Sequence, residues 1–82
     1  MKREFETEFR MLGLKIAYYR KARGLTQEQL AEKLGTSTSY IGSIESKTYK
    51  PISLHTLFRI AEALDVPPSK FLELGYNPGG LV

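Results

Sequence analysis

The twenty residues from Thr26 to Glu45, TQEQLAEKLGTSTSYIGSIE, constrain this chain more than any other stretch. They open with Thr26-Gln27-Glu28-Gln29, the S/T-x-x-E/Q form of a capping box. In that device the threonine hydroxyl accepts from the N–H three residues on, and the glutamine side chain reaches back. A helix is predicted over 26–34, with Leu30, Ala31 and Leu34 on one face, and Gly35 stops it as a residue able to take positive φ. Thr36 and Ser37 supply turn and N-cap chemistry for a second helix over 37–46. Its apolar residues are Tyr40, Ile41 and Ile44, while Thr38, Ser39, Gly42 and Ser43 are small or polar. Two short helices joined by a glycine-containing turn, the second with one polar face, form a helix-turn-helix, which can lay its second helix in a DNA major groove.

The flanking segments are helical by pattern as well. Residues 4–23 read as one helix: Phe5, Phe9, Leu12, Ile16 and Tyr19 recur at steps of four and three, predicting a single buried stripe. Glu4, Glu6 and Glu8 near its start and Arg20, Lys21 and Arg23 near its end suit the helix dipole. After Glu45, residues 46–52 read as a loop. Its Lys47 and Lys50 lie beside the second motif helix and are expected phosphate contacts; Tyr49 either offers its hydroxyl to a phosphate or covers the core edge. Ser53 caps a helix over 53–64 with a wide apolar face of Leu54, Leu57, Phe58, Ile60, Ala61 and Leu64. Asp65-Val66-Pro67-Pro68 breaks it, and Pro68 opens a fifth helix over 68–74 carrying Phe71, Leu72 and Leu74. Residues 75–82 have turn chemistry and are expected to form a frayed end, a truncation point or an arm packed on a partner. The prediction is an all-α, compact five-helix bundle in one domain, 1–82.

Charge supports a nucleic-acid partner through its distribution. The chain carries a net charge of +3, yet residues 10–50 hold eight basic and three acidic residues. Positive charge therefore concentrates around the motif, as expected of a phosphate-binding surface and equally of a solvated basic helix face. The absence of cysteine excludes disulfides and thiolate metal sites, and no metal or cofactor is expected. No apolar run approaches the ~18 residues of a spanning helix, and the charged start lacks a signal-peptide core, so the expectation is a soluble, cytoplasmic protein without membrane contact.

These residues resemble the phage-repressor and Cro-type helix-turn-helix domains, the Xre-like regulators. The resemblance rests on Arg20, Thr26-Gln27, Leu30-Ala31, Leu34-Gly35, Ile41, Ile44-Glu45, Pro51 and the run from Leu57 to Val66, and covers roughly residues 12 to 74. It implies the lambda-repressor-like bundle, with Arg20 bridging to Glu45 beneath the DNA face. It implies that Gln27 holds a backbone phosphate, with Ser37 also placed as a phosphate contact. Base readout falls by motif position to Thr38, Ser39 and Ser43, with Tyr40 at the edge. Relatives bind pseudo-palindromic operators as two-fold dimers, and the expected dimer surface is helix 5 with its preceding loop (Leu54, Phe58, Val66, Phe71, Leu74) or the aromatic N-terminal extension. Two departures stand out: Lys47 replaces a glycine common in relatives, and one extra residue separates Pro51 from the next helix.

The leading expectation is thus a sequence-specific, double-stranded DNA-binding transcriptional regulator without enzymatic activity. Stand-alone repressors, controller-type autoregulators and antitoxins with a toxin partner all use such chains. The competing reading is a protein-interaction module that keeps the fold without binding DNA, suggested by the short hydroxyls at the reading positions. An enzyme is the weakest reading, because His55 is the sole histidine and has no suggested partners.

Overall fold

Hydroxyls start three of the helices. Thr26 Oγ1 accepts from Gln29 N–H at 3.0 Å while Gln29 Oε1 accepts from Thr26 N–H at 2.9 Å, completing the capping box. Ser37 and Ser53 each accept from the N–H three residues on, at Tyr40 and Thr56. The computed structural model describes residues 4–74, and these form α1 (Glu6–Ala22), α2 (Gln27–Leu34), α3 (Thr38–Glu45), α4 (Leu54–Leu64) and α5 (Pro68–Phe71). The described residues are all-α, with no strand. Gly35 ends α2 at φ 69, and the N–H groups of Gly35 and Thr36 return to the Glu32 and Ala31 carbonyls.

The core lies where the five helices meet. Leu12 and Ile16 come from α1, Leu30, Ala31 and Leu34 from α2, Ile41 and Ile44 from α3, and Leu57, Ile60, Ala61 and Leu64 from α4; Val66 and Phe71 close it. Helix α5 has four residues, too few to persist alone. It is held by Pro68 in its first turn and by the fully buried Phe71, whose ring meets Tyr19 edge-on at 5.2 Å. Burying such a ring contributes about 1.5–3 kcal/mol.

Arginines finish other helix ends. Arg23 Nε and Nη2 donate to the Leu64 and Asp65 carbonyls, both at 2.7 Å, at the C-terminus of α4. Arg59 Nη2 donates to the Leu34 carbonyl at 2.8 Å, at the C-terminus of α2. Each guanidinium satisfies carbonyls that the helix leaves open and sits at the negative end of its dipole.

Two boundaries depart from the sequence pattern. Helix α1 starts at Glu6, not at residue 4, because Phe5 takes a left-handed conformation at φ 65. That turn swings Phe5 off the buried stripe, leaving it 64% exposed. Phe5 instead borders an apolar hollow lined also by Glu8, Phe9, Leu12, Leu72 and Leu74, so the N-terminal aromatics and the C-terminal segment of the same chain share one hollow. Helix α5 stops at Phe71, three residues short of the expected Leu74, where Leu72 N–H turns back to the Ser69 carbonyl. Val66 and Phe71, assigned above to a dimer surface, are buried in the core. Residues 75–82, the expected tail, lie outside the described residues.

Candidate nucleic-acid interface

The angle of α3 is set at its C-terminal end by a single carboxylate. Glu45 accepts two hydrogen bonds from the Arg20 guanidinium, Nε to Oε2 at 2.8 Å and Nη2 to Oε1 at 2.9 Å. Their side chains are 7% and 5% exposed. Arg20 Nη1 continues to the Leu25 carbonyl at 2.7 Å, in the turn between α1 and α2. Gln27 Nε2 also donates to Glu45 Oε1, at 3.0 Å. Residues of α1, α2 and α3 therefore converge on one buried, fully partnered group. Such a pair adds little net stability over an apolar substitute, but losing one member leaves a charge stranded, at about 3–5 kcal/mol.

Gly13 brings α1 against the same end of α3. A Cβ at this position would overlap the Ile44 carbonyl oxygen, so the approach of the two helices requires glycine here. Sequence reasoning missed it, although a glycine inside a strongly helical pattern is the signal for a close approach.

The opposite part of α3 is open. Thr38 and Ser39 are exposed, and among the described residues neither hydroxyl has a protein partner. Ser43 Oγ donates to the Tyr40 carbonyl at 2.7 Å, which commits its proton and leaves the oxygen as an acceptor. Ser37 is the reverse: its oxygen accepts the Tyr40 N–H as N-cap, and its own proton remains free to donate. Tyr40 is half-buried against the core, at the edge of this face. Gly42 faces the Gln27 amide, with room for a methyl at ordinary contact distance.

Beyond α3 the chain solves the missing glycine at Lys47 by moving the turn. Ser46 caps α3 in an extended conformation, its Oγ on the Ser43 carbonyl at 3.0 Å and within 2.9 Å of Thr48 Oγ1. The left-handed residue is Tyr49, at φ 40, whose N–H returns to the Ser46 carbonyl. Its ring stacks on Phe9, centroids 6.2 Å apart and planes 11° from parallel, so the N-terminal part of α1 braces this loop. Lys47 and Lys50 are exposed, with no acidic partner among the described residues. By helix geometry the first N–H groups of α2, at Gln27 and Glu28, have no partner within the helix and form a second anion-facing group.

The basic count around the motif overstates what faces outward. Arg20 is neutralised by Glu45, and Arg23, though exposed and still charged, spends its donors on the carbonyls at the end of α4.

A helix-turn-helix family model (HTH_3) matches residues 16–71, more than half of the chain. The chain belongs to this family. Its relatives are of the Xre and Cro type. The transcriptional regulator SinR of Bacillus subtilis is 36% identical over 63 residues, covering 77% of this chain and 57% of SinR. The immunity repressor of Bacillus phage phi105 is 48% identical over 58 residues, covering 71% of this chain and 40% of that protein. The chain thus spans about half the length of these curated relatives. Among solved structures, the restriction-modification controller protein C.AhdI of Aeromonas hydrophila superposes with a TM-score of 0.76 at 30% identity, covering 84% of this chain and 99% of that one. SinR in complex with DNA superposes with a TM-score of 0.70 at 35% identity, covering 76% and 98%. Among the described residues no helix is long and apolar enough to cross a membrane.

Proposed function

We propose that this chain is a sequence-specific, double-stranded DNA-binding transcriptional regulator that inserts α3 into the major groove. The observation that carries the reading is the division of α3 into a buried end, pinned by Arg20 and Glu45, and an exposed face bearing Thr38 and Ser39. A helix fixed at one end holds its free face at a constant angle, which base readout requires. Gln27, Ser37, Lys47 and Lys50 flank that face and position the phosphate backbone, while Thr38, Ser39 and Ser43 meet base edges and Tyr40 stands at the rim. Ser43, restricted to accepting, suits a base amino group. Tyr49, stacked on Phe9, contributes through the shape of the loop. SinR, solved with DNA, and the phage repressor are the relatives that support this reading.

The chain acts as a homodimer on a pseudo-palindromic operator with half-sites about 34 Å apart. Leu54 and Phe58 are exposed one turn apart on α4, and Phe58 opens onto a hollow with Ala61, Glu62, Asp65, Val66, Pro67 and Pro68; we assign self-association to this surface. Regulation takes place in the cytoplasm and needs no cofactor.

Selection from randomised duplex DNA at two salt concentrations tests the reading. A two-fold symmetric motif is expected, with Gln27→Ala weakening all sites alike and Ser39→Ala relaxing one position. No enriched motif, with only weak and steeply salt-dependent binding, would overturn it.

A further inference from the structure

Helix α1 has an outward face that neither the core nor the proposed DNA surface uses. On it Leu14 and Tyr18, one turn apart, are 65% and 66% exposed. With Met11, Lys15 and Tyr19 they line an open hollow of about 510 Å³. The Tyr18 ring is supported on one side: it meets Tyr19 edge-on at 5.0 Å, and Tyr19 meets the fully buried Phe71. An exposed aromatic supported in this way loses less freedom on binding, the property of an interface anchor.

The segment that bears this face carries one sign of charge. From Phe9 to Gln27 there is no Asp or Glu, while Arg10, Lys15, Arg20, Lys21 and Arg23 all fall in this stretch. Arg20 is turned into the protein, and Arg23, though exposed, lays its guanidinium on the carbonyls at the end of α4. Lys15 and Lys21 have no acidic partner among the described residues, and Arg10 has only a 3.6 Å pairing with Glu6. A second hollow, lined by Arg10, Leu14, Glu45, Ser46 and Lys47, lies between this face and the loop after α3, and its one carboxylate, Glu45, is already paired with Arg20.

We propose that this face docks an acidic amphipathic helix of another protein. Apolar residues of that helix cover Leu14 and Tyr18, and its carboxylates meet Lys15, Lys21 and Arg10. A second copy of this chain does not fit, because a two-fold contact would set these cations against one another. DNA does not fit, because an apolar ridge gives phosphates nothing to bond. The occupant is therefore a negatively charged protein segment, and the proposal does not depend on the DNA-binding reading.

The test titrates the isotope-labelled full chain with two designed helical peptides of about 15 residues, one with leucines on one face and glutamates elsewhere, the other with lysines in place of the glutamates. The expected result is amide shifts confined to Met11, Leu14, Lys15, Tyr18 and Lys21, with the acidic peptide at least about tenfold tighter. Leu14→Gln with Tyr18→Gln should abolish those shifts without changing thermal unfolding or DNA affinity. Lys15→Glu with Lys21→Glu should reverse the preference between peptides. Four outcomes would overturn the proposal: no shifts, equal binding of both peptides, self-association lost in the Leu14/Tyr18 variant, or DNA affinity lost in that variant.

Discussion

The two ends of α3 are built on opposite principles. At Glu45 both carboxylate oxygens are partnered and buried, by Arg20 and Gln27, and Gly13 seats α1 against the adjacent Ile44 carbonyl. At Thr38 and Ser39 the hydroxyls are exposed, without protein partners among the described residues. The first end gains rigidity by satisfying its groups internally; the second keeps its groups free for a ligand. A surface can hold unsatisfied donors at a fixed angle only if something else carries the constraint, and here the constraint sits about two helical turns away.

Substitutions can break this comparison in graded steps, ordered by their effect on the fold. Glu45→Ala should cost the most, about 3–5 kcal/mol in urea unfolding, because it strands the buried Arg20 guanidinium. Replacing both partners with Met at Arg20 and Leu at Glu45 should recover most of that stability while leaving DNA affinity reduced. A loss below about 1 kcal/mol for Glu45→Ala would place the pair with exposed surface bridges and remove the anchor from the argument.

Gly13→Ala comes next. The added methyl must push α1 away from the Ile44 carbonyl, an overpacking cost of about 1–3 kcal/mol measurable by the same unfolding curve. A neutral result would mean that α1 and α3 slide freely and that the angle of α3 is softer than the geometry implies.

Gly42→Ala should have the smallest effect and the opposite sign. Its methyl finds ordinary contact with Gln27, and alanine favours a helix interior by up to about 1 kcal/mol, so thermal unfolding should shift upward. Operator affinity should fall, because the methyl sits against the Gln27 side chain that is proposed to hold a phosphate. A stabilised variant with weakened DNA binding would sharpen the division between the two ends; unchanged affinity would place Gly42 outside the contact.

The N-terminal extension shows where sequence pattern misleads. Phe5 obeys the helical stripe in register, yet a left-handed backbone at that residue puts it at the surface. Phe9 keeps its register and acquires a function the pattern did not contain, stacking on Tyr49 to brace the loop after α3. In the same way Lys47, where relatives often carry glycine, does not take the strained conformation; Ser46 extends and Tyr49 absorbs the turn.

What the sequence by itself determined is the set of features whose cause is local. The capping box at Thr26, the caps at Ser37 and Ser53 and the turn at Gly35 each depend on hydrogen bonds spanning three to five residues, so their geometry is written in adjacent letters. The core stripes of α2 and α4 follow from helical period for the same reason. The link between Arg20 and Glu45 entered through family resemblance, since twenty-five positions separate them. Only the tertiary structure decided that Gln27 shares that carboxylate, that Arg23 and Arg59 close the ends of α4 and α2, that Gly13 admits the Ile44 carbonyl, and that Leu14 and Tyr18 remain uncovered. These depend on how helices distant in sequence are brought together, and an arginine or a glycine carries no local mark of the partner it will meet.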